Sequence, residues 1–143
     1  MLSTREAILT ALFGRLQTLS GPTVLKNDDF PARIPDGGLI ILRDGTPGEP
    51  EITMSPLRYY WTHSTPLDVA VQIADPASRD VAFDALLQDI ASVLASDPTL
   101  GGLCDYAEPG APDTEMIALE GASGIKGAIV PIIMAYETKS QLG

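Results

Sequence analysis

From Leu57 to Ile73 the chain alternates apolar and polar side chains with a period of two. Odd positions read Leu57, Tyr59, Trp61, His63, Thr65, Leu67, Val69, Val71 and Ile73. Even positions read Arg58, Tyr60, Thr62, Ser64, Pro66, Asp68, Ala70 and Gln72. Only a β-strand places every second residue on one face, so the stretch predicts a strand with one buried side. At 3.3 Å per residue it would run roughly 55 Å unbroken, more than a domain of this size should span. Pro66 also lacks the N–H that a central ladder uses. The pattern therefore predicts a bend near Ser64–Pro66, with one arm in the core sheet and an aromatic arm that projects or serves another subunit.

Around this stretch the chain divides readily. Ser3 followed by Glu6 is a capping-box pattern, and Ala7, Ile8, Ala11, Leu12, Leu16 and Leu19 recur at helical spacing until Gly21-Pro22 stops them. Thr23–Lys26 is a short strand candidate, and Asn27–Gly38, with Pro31, Pro35 and two glycines, reads as a loop. Leu39–Arg43 is a short buried strand, and a wide turn over Asp44–Pro50 leads to Glu51–Met54. Asp75-Pro76 ends the long strand. Ser78 or Asp80 is the expected cap of a second helix reaching to about Ala95, with Val81, Ala82, Ala85, Leu86, Ile90, Val93 and Leu94 as its inner side. Strands are then expected at Leu103–Glu108, Glu115–Leu119 and Gly127–Thr138. In the last of these Ile129, Val130, Ile132, Ile133 and Met134 make both faces apolar, so both should be covered. The sum is an α+β protein: a single domain, 1–143, with a mixed or antiparallel sheet and two main helices packed on one face.

A chain of 143 residues is long enough to bury a core without a disulfide or a metal. Its single cysteine, Cys104, can make no internal disulfide, and one cysteine with one histidine cannot build an ordinary zinc site. A formal charge of −10 argues against binding a phosphate backbone, and suits a conduit that repels DNA better than a clamp. No apolar run approaches the roughly 20 residues that cross a bilayer. The opening MLSTREAILTALFGRL lacks the pattern of a signal peptide, so a cytoplasmic protein is expected.

Chemistry is sparse. A Cys104–His63 nucleophile pair is the one arithmetic combination, but no nucleophile motif surrounds either residue. Cys104 is expected as a small core or strand residue and His63 as a surface residue on the aromatic arm. Asp28, Asp29, Asp105, Glu108, Asp113 and Glu115 lie in or beside loops without calcium-loop spacing and read as solvated charge. The segment GASGIKG, Gly121–Gly127, lacks the Gly-Lys-Ser/Thr order of a phosphate loop and reads as a flexible connection. No catalytic, cofactor-binding or metal-ligating residue is assigned.

Two features suggest an interface. Arg58, Tyr59, Tyr60 and Trp61 concentrate the residue types that protein contacts favour. Tyr59 and Trp61 could equally pack in the chain's own core with Tyr60 outside. Pro131 within an apolar strand argues for an edge, and such an edge needs a neighbouring subunit to cover it.

The segments LIILRDGTPGEPEITMSPLRYYWTHSTPLDV, TLGGLCDYAEPGAPDTE and IKGAIVPIIMAYET together resemble the tail terminator family, the subunits similar to minor tail protein U of long-tailed phages and of gene transfer agents. The resemblance runs from Arg5 to Thr138. It implies a virion protein, assembled in the host cytoplasm, that forms a hexameric ring at the tail–neck junction. Such a ring caps the tail tube protein, stops elongation and joins the neck, while DNA passes through the lumen without specific binding. The family supplies no catalytic residues. The interface candidates are therefore the aromatic arm, the Asn27–Gly38 and Asp44–Pro50 loops and the Pro131 strand. Two other readings stay open: a different neck component, such as a head-closure or adaptor subunit, and a small transferase-type enzyme using Cys104 or an acidic residue.

Overall fold

The computed structural model describes residues 1–114 and 124–143. The strand expected at Glu115–Leu119 and the start of the Gly121–Gly127 loop lie outside the described residues. In chain order the elements are α1 (Thr4–Gln17), β1 (Thr23–Lys26), β2 (Leu39–Leu42), β3 (Glu51–Met54), β4 (Leu57–Gln72), α2 (Pro76–Ser96), β5 (Tyr106–Pro109) and β6 (Ile125–Thr138). The strands form one mixed sheet in the order β1-β2-β4-β6-β5, with β3 paired to the other end of β4. Among the described residues only β1 and β2 run parallel. Both helices pack on one face, as expected of the α+β class.

β4 does not bend into separate arms. It pairs with β6 without interruption from Tyr59 opposite Thr138 to Gln72 opposite Ile125. The projecting-arm expectation fails because β6, 14 residues long, supplies a partner along nearly the whole of the 16-residue β4. The proline objection is met by placement. Pro66 lies directly opposite Pro131. Two prolines can face each other only at a position where neither needs to donate across the ladder. Their carbonyls point outward instead: Pro66 O accepts from Arg43 N at 3.1 Å and Pro131 O from Gly110 N at 2.7 Å. Each proline sits one residue beyond the end of the next strand, since β2 pairs with β4 only as far as Leu67 and β5 with β6 only as far as Ile132. Neither missing N–H interrupts a ladder. Pro131 is thus on an interior strand between β4 and β6's other neighbour β5, which corrects the edge expected from sequence.

The helix-covered face carries Trp61, Leu67, Val69 and Val71 of β4, Ala128, Val130, Ile132, Met134 and Tyr136 of β6, and Ile40 and Leu42 of β2, all buried. α1 adds Ile8, Leu9, Leu12 and Leu16. The opposite face is covered at one end by the connection 27–38, where Phe30 and Ile34 pack with Leu39, Ile41, Ala70 and Ile125. A parallel pair needs a long crossover, and this one closes over the sheet's second face. Further along the same face Ile129 is exposed and Pro131, Ile133 and Ala135 are half-buried. The coverage expected on both faces of β6 is therefore complete only on the helix side.

Ser3 caps α1 by accepting from Glu6 N at 3.1 Å. The reciprocal half of the box is diverted, because the Glu6 carboxylate pairs with Lys26 of β1 and ties the helix to the sheet edge. α2 is capped by Asp75, whose carboxylate accepts from Ser78 N at 3.0 Å and Ser78 Oγ at 2.7 Å. The expected caps, Ser78 and Asp80, are both inside the helix. Pro76 fills the first turn, where its missing N–H costs nothing. The buried stripe of α2 is Phe83, Leu86, Ile90 and Leu94. Its apolar positions are too many for one stripe, and the set with the bulkier side chains buries more area. Val81, expected inside, is left 71% exposed.

Candidate assembly surface

The aromatic segment is divided by the pleat of β4. Trp61 lies on the buried face, where its ring N–H donates to Thr138 Oγ1 at 2.9 Å and the Arg5 guanidinium stands over the ring, 5.5 Å from its centroid. Tyr59 stacks beside it at 6.5 Å. Tyr60 points the other way and is exposed, while Arg58 is half-buried at the ladder's end. Of the five interface candidates, Trp61 belongs to the chain's own core, and Arg58 and Tyr60 keep surface to offer. Pro131 is half-buried on the outer face, in a shallow recess with Ser64, Pro66 and Ile129.

His63 is buried, not on the surface as expected, because it occupies an odd position of β4 and shares the face of Trp61 and Thr65. Both ring nitrogens are engaged: Nδ1 with the Tyr136 hydroxyl at 2.8 Å and Nε2 with the Asp44 carbonyl at 2.6 Å. A carbonyl can only accept, so Nε2 carries the hydrogen and Nδ1 accepts from Tyr136. Tyr136 in turn accepts from Arg5 Nε at 3.3 Å. The result is one directed chain of hydrogen bonds, Arg5 to Tyr136 to His63 to Asp44, running from α1 along the helix-covered face of the sheet to the loop before β3. Burial lowers the His63 pKa below its usual 6.5, partly offset by the Asp44 carbonyl. The ring is held neutral, as a structural element.

Cys104 is buried, and its thiol contacts the Thr99 carbonyl at 3.5 Å. Burial, with Asp105 and Asp97 nearby, pushes its pKa up to about 11. A thiol so protonated is a poor nucleophile, and His63 has no free nitrogen to activate it. The structure does not assemble the pair that the sequence allowed. Among the described residues no group of three or more His, Cys, Asp or Glu is placed to hold a metal. Asp28 and Asp29 lie exposed in the 27–38 connection, and Asp105 and Glu108 are exposed beside or on β5. Asp113 faces Ile129 through a two-way backbone bridge. The carboxylates are dispersed rather than convergent.

The feature sequence reasoning missed is the β3–β4 hairpin. β3 pairs with β4 from Glu51 opposite Tyr60 to Met54 opposite Leu57 and turns through Ser55 and a cis Pro56. Every residue of β3 is exposed, including Ile52 (53%) and Met54 (75%), and Leu57 follows at 42%. The ribbon continues beyond the end of β6, whose pairing stops at Thr138 opposite Tyr59. It is this hairpin, not the whole aromatic arm, that leaves the body of the fold. Exposed apolar ribbons with an open edge are features that single subunits avoid. The signal was present in the sequence: Pro50 and Pro56 bracket a strand too short to reach the core. The 27–38 loop, by contrast, uses its apolar residues on its own sheet. No protein-family model matches the chain, and no curated protein matches it.

Proposed function

We propose that this chain is a structural subunit of a phage-type tail: a terminator that assembles as a hexameric ring on the last ring of tail tube protein, stops elongation and presents its other side to a neck protein of the head-closure or adaptor kind. The observation that carries this reading is the β3–β4 hairpin, which holds Ile52, Met54 and Leu57 in solvent together at one end of the domain. A two-stranded ribbon gains little stability alone, so its apolar side chains make sense as contacts to a neighbour. The net charge of −10 adds to the case, because a lumen of that sign lets a duplex pass without holding it. The engaged ring of His63 and the raised pKa of Cys104 weigh against the enzyme reading.

Negative-stain imaging of the purified chain mixed with tail tubes tests the proposal. Six-fold rings with a central hole, seated at tube ends and limiting tube length, are expected. Tubes that elongate unchanged with nothing at their ends would overturn it, as would substrate turnover by the isolated chain.

A further inference from the structure

Arg5 ties three parts of the molecule together. Its Nε donates to the Tyr136 hydroxyl at 3.3 Å, another guanidinium nitrogen donates to the Gln141 carbonyl at 3.1 Å, and the group stands over the Trp61 ring. The start of α1 is thereby joined to β6 and to the residues 139–143 that follow it. A guanidinium is charged at every pH the fold meets, so Arg5 cannot release itself. His63 can release it.

The Tyr136 hydroxyl has one hydrogen, and neutral His63 receives it on Nδ1. A second proton on the ring turns Nδ1 into a donor. Arg5 Nε and His63 Nδ1 would then both point at one oxygen, and the Tyr136 hydrogen would lose its acceptor. His63 is 1% exposed and Tyr136 2%, so no solvent replaces that acceptor. Two cations would also face each other across a single hydroxyl. The Nε2 bond to the Asp44 carbonyl is untouched, because a charged ring still donates there. The mismatch falls wholly on the Arg5 side.

Among the described residues the charged or titratable groups facing His63 are Arg5 from α1, Tyr136 from β6 and Asp44 from the loop before β3. Burial lowers the ring's pKa most, the Asp44 carbonyl raises it, the Arg5 charge lowers it and the Asp44 carboxylate raises it, with a net fall. Of the groups around the shared hydroxyl, only Arg5 is half-buried and has water within reach.

We infer that His63, Tyr136 and Arg5 form an acid-sensitive latch: protonation of His63 expels the Arg5 guanidinium from Tyr136 and Trp61, and so unties the start of α1 from residues 139–143 while the sheet stays intact. Thr4, Thr138, Lys139 and Gly143 line one recess with Arg58 at the base of the β3–β4 hairpin, so acid alters the surface beside that hairpin. The latch does not depend on the chain being a tail subunit.

The chain has one histidine and one tryptophan, which makes both ends of the latch readable in the unmodified protein. As pH falls from 7, the imidazole proton resonance reports the His63 charge, acrylamide quenching of fluorescence reports the cover over Trp61, and far-UV circular dichroism reports the fold. Quenching should rise with the midpoint of the His63 titration while the far-UV signal holds. Coupling is reciprocal, so Arg5→Met should expose Trp61 at every pH and let His63 bind its proton about fivefold more tightly. His63→Gln, whose amide can donate to the Asp44 carbonyl and accept from Tyr136, should leave quenching flat over the same range. Quenching that rises only as the far-UV signal is lost overturns the latch, as does an Arg5→Met chain whose His63 titrates where the natural one does. The comparison of midpoints uses the natural chain, so it decides the matter even where a variant fails to fold.

Discussion

His63 and Tyr136 meet on the buried face of the β4–β6 ladder, with Nδ1 2.8 Å from the phenolic oxygen. They are not cross-strand partners; Trp61 lies opposite Tyr136 and Met134 opposite His63. The contact is diagonal, within reach only because both side chains are long. Tyr136→Phe removes the hydroxyl alone and strands Nδ1 of His63 and Nε of Arg5. A loss of about 1–3 kcal/mol is expected, the cost of buried groups left without partners. Denaturant unfolding of the variant measures it.

The same histidine makes stability depend on pH. Its folded pKa is lowered from 6.5, chiefly by burial. The fold thus binds the proton less well than the unfolded chain does. This stabilising contribution is fully present above about 6.5 and is lost as pH falls from there through the lower folded pKa. Melting temperature should decline over that window, and His63→Gln should flatten the decline. Asp75 and Asp97 have pKa values lowered from 3.8, by bonds from Ser78 and from Gly101 N respectively, so their losses come in a separate, more acidic step.

Gly45 holds the loop whose Asp44 carbonyl receives His63. It has φ +69°, and a Cβ there would stand 2.1 Å from the Ser64 carbonyl oxygen. Gly45→Ala should cost at least about 2 kcal/mol, because strain and a backbone clash add. Thermal unfolding followed by circular dichroism would register it. An unchanged melting temperature would show that the loop can move away from β4.

Cys104 should react slowly with a thiol reagent at neutral pH while the protein is folded, and at an ordinary rate in denaturant. The cause is its burial and a pKa pushed up to about 11. Timed alkylation with mass detection settles the matter, and fast labelling of folded protein would contradict the placement of the thiol against Thr99.

Removal of the α2 cap is the plainest local test. Asp75→Ala takes away the acceptor of Ser78 N and Oγ, and should cost about 0.5–2 kcal/mol. Ser78→Ala, which keeps the backbone bond, should cost less in the same unfolding assay.

Local pattern was enough for much of the architecture. Ser3 and the apolar positions after it announced α1, the alternation from Leu57 announced β4, and the apolar run from Leu39 announced a strand buried on both sides. Period and punctuation are properties of neighbouring residues, so a sequence states them directly. It could not state which strand lies beside which. That Pro66 stands opposite Pro131, that β6 is interior, and that β6 supports the whole of β4 are facts about residues far apart in the chain. Competition decided the rest: Val81 and Phe83 are both apolar, and only packing against the sheet determines which one turns inward. His63 shows the same limit, since an imidazole enters a core only where a hydroxyl and a carbonyl are already in place to receive it. The amino-acid order therefore determined most of the elements and the period of apolar residues within each. The tertiary structure decided their neighbours, and with them which apolar residues were left over in the hairpin and on α2, because burial is a property of the assembled whole.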